Sequence, residues 1–235
     1  MPPVRSVAAA NRLLASLPSK ERQNLLALGN PVELSLGEIL AKPGERIGHA
    51  YFPTQSSISL LAPISGRSGL EVGLIGNEGM LGIALLLGIE VSPLHAIVQG
   101  QGAALRIDAA VFRAQLAATP ALLGVLQRYL HVLIAQLAQS AACTRFHAVE
   151  ARLARRLLMT QDRAQANEFH VTQEFLAAML GVRRVGVTKA AIALQDDKII
   201  RYSRGDITIL DRDRLELSSC PCYAADRATY AQMMK

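Results

Sequence analysis

The chain has 235 residues, 51% of them hydrophobic and 19% charged, with a formal net charge of +6. That balance excludes a disordered chain and supplies enough apolar material for two modest cores. The longest uninterrupted apolar run, Met80 to Ile89, is well short of the roughly 20 residues of a membrane span, and no secretory-type apolar stretch opens the chain, so we expect a cytoplasmic protein with no membrane partner.

Residues 5 to 17 predict a short helix with Leu13, Leu14 and Leu17 on one side, and residues 18 to 28 a second. From Pro31 the pattern alternates: Val32 to Leu36, a break at Gly37, Glu38 to Ala41, then the turn Lys42-Pro43-Gly44-Glu45. Short strands follow at Ala50 to Pro53, Ser57 to Leu61, Leu70 to Ile75, Ala96 to Val98 and Ala104 to Ile107, separated by Gly, Pro and Ser. Many short strands at close spacing predict a small sandwich or barrel.

Asp108 then caps a helix through Leu116, and Thr119-Pro120 opens a longer one with a cap followed by proline at the first helical position. Along it Leu123, Leu126, Leu130, Leu133 and Leu137 fall alternately three and four residues apart, the seam of a two-stranded coiled coil. The competing reading is a core helix lying on the sheet. We expect the seam to pair a twin helix and so place two C-terminal domains symmetrically. His147 to Asp162 continues as a helix carrying Arg152, Arg155 and Arg156, with Val149, Leu153 and Leu157 inward.

Residues 171 to 194 read as two helices joined at Gly181. Thr172 is the N-cap, Glu174 sits in the first turn, and Phe175, Leu176, Met179 and Leu180 form the apolar stripe. Ala177, four residues before the glycine, permits close approach of a second helix, with Val182 and Val187 filling the angle. That is the spacing of a DNA-binding helix-turn-helix, whose second helix enters the major groove. On that helix Arg184, Val185 and Lys189 project away from Val187 and Ile192. Lys198 to Ser203, the turn Arg204-Gly205-Asp206 and Ile207 to Leu210 form a hairpin in the position of a wing.

Charge placement agrees. Residues 1 to 118 carry nine basic and eight acidic side chains, residues 119 to 235 sixteen and eleven, and the stretch from Arg183 to Arg204 six and two. An excess on the helix-turn-helix half suits a polyanion partner, double-stranded DNA. We assign base contacts to Arg184 and Lys189, an apolar contact to Val185, and phosphate contacts to Thr172, Arg183, Thr188, Arg201 and Arg204.

The order of β-rich domain, leucine-seamed helix and winged helix-turn-helix resembles the superfamily of the cyclic-AMP receptor protein and the fumarate-nitrate regulator, Crp/Fnr. The most specific parts are Thr172 to Arg184, Leu194 to Ile200 and Arg201 to Gly205, with Pro43-Gly44-Glu45 and Ala50 to Pro53 similar to the opening of that family's β-roll. The resemblance implies an α+β protein: a cyclic-nucleotide-binding-domain-like β-roll over residues 1–118, a dimerisation helix over 119–145 and a winged helix-turn-helix over 146–235. It further implies a homodimeric transcription regulator on a near-palindromic site, with RNA polymerase as a further partner.

Departures accompany the matches. The segment resembling the family's phosphate cradle is Gly79-Met80-Leu81-Gly82, and Leu94-His95-Ala96 stands where an arginine motif belongs. A buried phosphate without a cationic partner is costly, so cyclic AMP is not expected and the effector stays unknown. Met80 to Leu87 suggests an apolar ligand or a pocket filled by its own side chains, and we favour the latter. Where relatives place a glutamate on the recognition helix, Val185 stands.

Cys143, Cys220 and Cys222 are too few for a disulfide framework. Cys220-Pro221-Cys222 is a weak metal or redox signal, Cys143 reads as a small packing residue, and His49, His95, His131, His147 and His170 show no ligand-like spacing. No metal, cofactor or catalytic constellation is therefore expected. The competing function is a ligand-binding or redox module whose winged helix mediates protein interaction.

Overall fold

The computed structural model describes residues 11–64 and 67–235; the part of the first expected helix before residue 11 lies outside them. Asn11 caps helix α1 (Arg12–Ala15) by accepting from the amides of Leu13 and Leu14. Its side-chain amide donates to the carbonyls of Pro53 and Gly79, at 2.8 and 3.0 Å. A fully buried polar residue is tolerated there because both ends of it are satisfied. Helix α2 (Ser19–Ala27) follows and buries Leu25 and Leu26.

Seven strands then form the β-roll: β1 (Asn30–Leu34), β2 (Ile39–Ala41), β3 (His49–Pro53), β4 (Ser57–Ile64), β5 (Arg67–Ile75), β6 (His95–Gly100) and β7 (Gly102–Asp108). They make one sheet of order β1-β7-β3 and one of order β2-β6-β4-β5. In the first sheet β7 pairs antiparallel with both neighbours, Leu105 opposite Pro31 and Phe52. The apolar run after β5 is not a strand. Met80 and Leu85 enter the core, and Ile83–Leu87 winds into a single 3-10 segment flanked by left-handed Gly82 and Gly88.

Helix α3 (Ala109–Ala118), capped by Asp108, places Phe112 edge-on to Phe52 with ring centroids 5.9 Å apart. Helix α4 (Pro120–Phe146) is the 27-residue backbone of the chain. Leu122, Val125, Leu126, Tyr129 and Leu133 join the roll's core with Phe52, Leu105 and Phe112. This corrects the expected seam, because Leu126 is wholly buried and Leu133 nearly so within the chain's own core. The stripe left outside runs through Leu123, Gln127, Leu130, Ile134 and Leu137, with Ile134 58% exposed. Helix α4 is therefore apolar on two faces. By length and composition it would pass for a membrane span, although its inner face is packed in the roll's core.

Contacts divide the chain into two compact units. One holds the chain up to Leu60, Leu74–Ile134 and Tyr230–Lys235; the other holds Leu61–Gly73 and Ala135–Thr229. Helix α4 thus contributes to both, and the outer part of the β4–β5 hairpin belongs with the C-terminal unit.

That unit contains helix α5 (Val149–Ala164), strand β8 (Glu168–His170), helices α6 (Gln173–Leu180) and α7 (Arg184–Asp196), strands β9 (Ile200–Ser203) and β10 (Asp206–Ile209), helix α8 (Arg212–Ser218) and helix α9 (Cys222–Met233) as far as Thr229. Strand β8 and helices α8 and α9 were not read from the pattern. Leu153, Leu157, Leu176, Val187, Leu194, Ile207 and Leu215 share the core. The α5 arginines are buried rather than solvated. Arg155 pairs with Asp226 at 2.6 Å and Arg156 with Glu71 at 3.0 Å, while Arg152 donates to the Leu180 carbonyl. Burial pushes the Asp226 carboxyl up and Arg155 pulls it back.

Helix α6 ends in a Schellman motif: Val182 N–H donates to the Ala177 carbonyl and Gly181 N–H to that of Ala178. Gly181 is left-handed at φ +63°, and a Cβ there would lie 2.8 Å from Leu70 Cδ1. Gly181→Ala is expected to lower stability by about 1–2 kcal/mol from the backbone alone, with further loss from the Leu70 overlap. Chemical denaturation reads it; an unchanged midpoint would contradict the turn geometry.

Candidate nucleic-acid interface

Thr172 caps α6, its hydroxyl accepting from the Phe175 amide at 3.2 Å, and Glu174 occupies the first turn where the helix dipole favours an acid. Helix α7 is built in the opposite sense. Its N-cap is Arg183, no side chain caps its amides, and no acid lies in its first turn. Two arginines at the positive end of a helix dipole weaken an isolated helix by a few tenths of a kcal/mol each, by about the amount a matched charge would add. The same arrangement, a helix start without a side-chain cap and flanked by guanidinium groups, suits an anion.

Val187, Ala190, Ala191 and Leu194 face inward. Arg183, Arg184, Val185 and Lys189 are exposed, Val185 at 58%. Ile192, expected to help fill the interhelical angle, is 51% exposed instead; one helical turn beyond Lys189, it extends the outward stripe of Val185 and Lys189. The helix so presents two arginines at its start and an apolar and a cationic side chain along its outer face.

The wing is a three-stranded sheet of order β8-β10-β9, with Ile207 opposite both Phe169 and Tyr202. Tyr202 donates its hydroxyl to the Val171 carbonyl at 2.9 Å, and the Val171 amide donates to Gly205 at 2.7 Å. These bonds tie the wing tip to the start of α6. Burial pushes the Tyr202 hydroxyl up, with nearby Arg184 opposing. Arg204 and Gly205 are both left-handed at the tip, at φ +52° and +95°.

Between helix and wing runs an open groove lined by Thr172, Gln173, Arg184, Thr188, Ile192, Gln195, Tyr202 and Arg204. The structure thus brings Thr172, Arg184, Thr188 and Arg204 together. Thr188 is only half-exposed, its hydroxyl 2.9 Å from Gln173 Oε1 and 3.1 Å from the Arg184 carbonyl. It holds Gln173 in the groove. Gln173 and Gln195 were missed; the first stands beside the recognised cap Thr172, a signal that was available. Arg201 is exposed on the wing, 3.7 Å from Glu168 and bonded to Thr208 at 3.3 Å.

In the β-roll, Met80, Leu81, Gly82 and Leu94 line a cavity of about 110 Å³ with Leu40, Ile47, His49, Leu60, Ile75 and Leu133. Gly79 and His95 do not line it. Gly79 is needed for packing, since a Cβ there would overlap the Tyr129 hydroxyl. Among the described residues no lysine or arginine lines it, and ligand pockets generally run from about 300 Å³ upward.

The metal-ligand reading also changes. Cys143 packs in the core as expected, but with Cys220 and Cys222, and His147 joins them with all four donor atoms within 4.8 Å. Residues 143 and 147 are one helical turn apart, the spacing that brings two side chains to one face. The spacing of the histidines among themselves had hidden this, because the partners of His147 are thiols.

Residues 151–217 match the profile of a helix-turn-helix domain described as Crp-like. Around it the chain has the fold of Crp/Fnr regulators. The c-di-GMP-responsive global regulator CLP of Xanthomonas campestris superposes with a TM-score of 0.66 over 82% of this chain and 99% of that one, at 18% identity. FixK2 of Bradyrhizobium japonicum gives 0.69 over 82% and 98%, at 13% identity. A CRP/FNR-family transcriptional regulator of Thermus thermophilus gives 0.62 over 81% and 98%, at 21%. At such identities the likeness is one of fold. No curated protein matches the chain in sequence. The Crp-like segment includes the buried arginines, both helices and the wing; Cys143, His147, Cys220 and Cys222 lie outside it.

Because the Arg201–Glu168 pair is exposed, it adds less than about 1 kcal/mol to stability. Glu168→Gln is expected to leave the melting temperature unchanged within error while raising affinity for double-stranded DNA a few-fold at low salt, since a competing anion beside Arg201 is gone. Filter binding in parallel with thermal melts checks it; weaker binding would mean that Glu168 orients Arg201 productively.

Proposed function

We propose that the protein is a homodimeric, sequence-specific DNA-binding transcriptional regulator that reads a near-palindromic site through helix α7 of each protomer. The observation that carries this is the N-terminus of α7: uncapped amides, Arg183 and Arg184 at its start, Lys189 on its outer face, and Arg201 and Arg204 on the wing beside it. Arg184 and Lys189 read base edges, and Val185 meets a thymine methyl instead of accepting from cytosine. Thr172, Arg183, Arg201 and Arg204 hold the phosphates, and Thr188 acts by orienting Gln173.

The twin recognition helices would enter successive major grooves about 34 Å apart. Pairing of two α4 helices through Leu123, Leu130, Ile134 and Leu137 supports that symmetry: Leu123, Gln127, Leu130, Ile134 and Leu137 keep the alternating four- and three-residue spacing of a coiled-coil seam. Mass spectrometry and sedimentation should therefore find a dimer. The small, cation-free roll cavity supports a sensor that does not use a cyclic nucleotide, its space filled largely by Met80, Leu81 and Leu94.

With an operator selected from random duplexes, Arg184→Ala is expected to lose about 1–3 kcal/mol of discrimination at one base pair of each half-site. Arg204→Ala is expected to weaken all duplexes alike and to reduce the salt slope by about one. If Arg184→Ala ranked every duplex as the parent does, Arg184 would not be a reader.

Ile134→Asp is expected to shift the dimer to monomer in analytical ultracentrifugation without unfolding it. Leu126→Ala, by contrast, should cost about 2–5 kcal/mol of stability, the range for emptying a packed leucine site. An Ile134→Asp protein that stays dimeric would remove α4 as the seam.

A further inference from the structure

The side chains of Cys143, His147, Cys220 and Cys222 converge at a place the DNA-binding role does not use. We propose that they form a closed, tetrahedral zinc site that fastens the end of helix α4 to the segment leading into helix α9. All four donor atoms lie within 4.8 Å of one another. Cys143 Sγ is 3.5 Å from Cys220 Sγ, and Cys222 Sγ is 3.4 Å from His147 Nδ1. A tetrahedral ion with zinc–sulfur bonds of about 2.3 Å and zinc–nitrogen bonds of about 2.0 Å sets its ligand atoms roughly 3.5–3.8 Å apart. The cluster is at that scale, which suits one ion and is too tight for a multi-iron cage.

The backbone explains how four donors meet. His147 N–H donates to the Cys143 carbonyl at 3.1 Å, so the last helical turn stacks these two side chains. Cys220 N–H reaches the Ala151 carbonyl at 3.4 Å, and Tyr223 N–H closes a turn on the Cys220 carbonyl at 3.1 Å. That turn carries Cys220 and Cys222 inward, and all three thiols are buried while His147 is half-buried. Three soft thiolates with one imidazole, four protein donors in all, are the donor set of a structural zinc ion.

The surroundings suit a metal-bound anion. Gln139 Nε2 donates to Cys222 Sγ at 2.9 Å, the kind of outer contact that steadies a thiolate ligand. Three thiolates and a neutral imidazole around Zn²⁺ leave one net negative charge, and Arg152 and Arg155 line the same small cavity as Cys143. Binding exchanges three thiol protons for the ion, which leave to solvent, with no change of oxidation state.

The test begins with full-length protein purified under reducing conditions without chelator. Elemental analysis is expected to find about one zinc per chain. After zinc removal, Co²⁺ alone should produce thiolate-to-metal charge transfer and the strong visible bands of a tetrahedral centre. Cys220→Ser combined with Cys222→Ser should abolish both signals. Gln139→Ala keeps every ligand and guards against misfolding: it should still bind, with affinity lower by roughly 10- to 100-fold in chelator competition. Folded, reduced protein that takes up neither Zn²⁺ nor Co²⁺, serine variants with unchanged metal content, or a Cys143–Cys220 disulfide in place of bound metal would each overturn the proposal.

Discussion

Helix α4 is the constraint on which the other elements depend, because it must bury two apolar stripes with one set of neighbours. Tyr129, Leu126 and Leu133 complete the core of the β-roll, and Gly79 has no side chain because Tyr129 occupies the space. Leu123, Leu130 and Ile134 point the other way. A helix buried on one side only would carry polar residues at these positions. That it does not is a statement about a second surface, the one the proposed pairing of two chains would use.

The C-terminal unit is organised on different physics. Its helix α5 buries Arg155 and Arg156, each beside a single carboxylate, Asp226 and Glu71. Such pairs seldom add net stability, since desolvation offsets most of the attraction, but removing one partner leaves a charge stranded. They act as registration marks: Glu71 and Asp226 lie far from α5 in the chain, and each pair forms only with its distant segment in place. Exposed cations then remain where α7 and the wing present them.

Local features were legible from residues alone. Gly181, Ala177 and Val187 announce the helix-turn-helix because a left-handed turn, a close approach and a buried valine each restrict the residue allowed. The wing hairpin was legible for the same reason, although its third strand, Glu168 to His170, was not: three residues without alternation give no signal. Leu126 and Leu133 read as seam residues but belong to the roll's core, because leucines recur on both stripes of α4 and periodicity alone does not say which stripe meets the roll. The partners of Arg155 and Arg156, and the Cys222 thiol beside His147, were invisible, since each comes from a segment some 70 or more residues away.

The chain order of these elements bears on how the protein is made. The strands of the roll leave the ribosome before helix α4 does, and domains generally fold as they emerge. The inner stripe of α4 therefore meets its partner as soon as it is synthesised, which shortens the time during which a helix resembling a membrane span is uncovered. Among the described residues the outer stripe is less covered, with Ile134 and Leu137 exposed. On the proposed pairing of two α4 helices its shelter is another copy, and local protein concentration during biosynthesis, and polysomes that release neighbouring copies together, would then favour a soluble fate for the newly made chain.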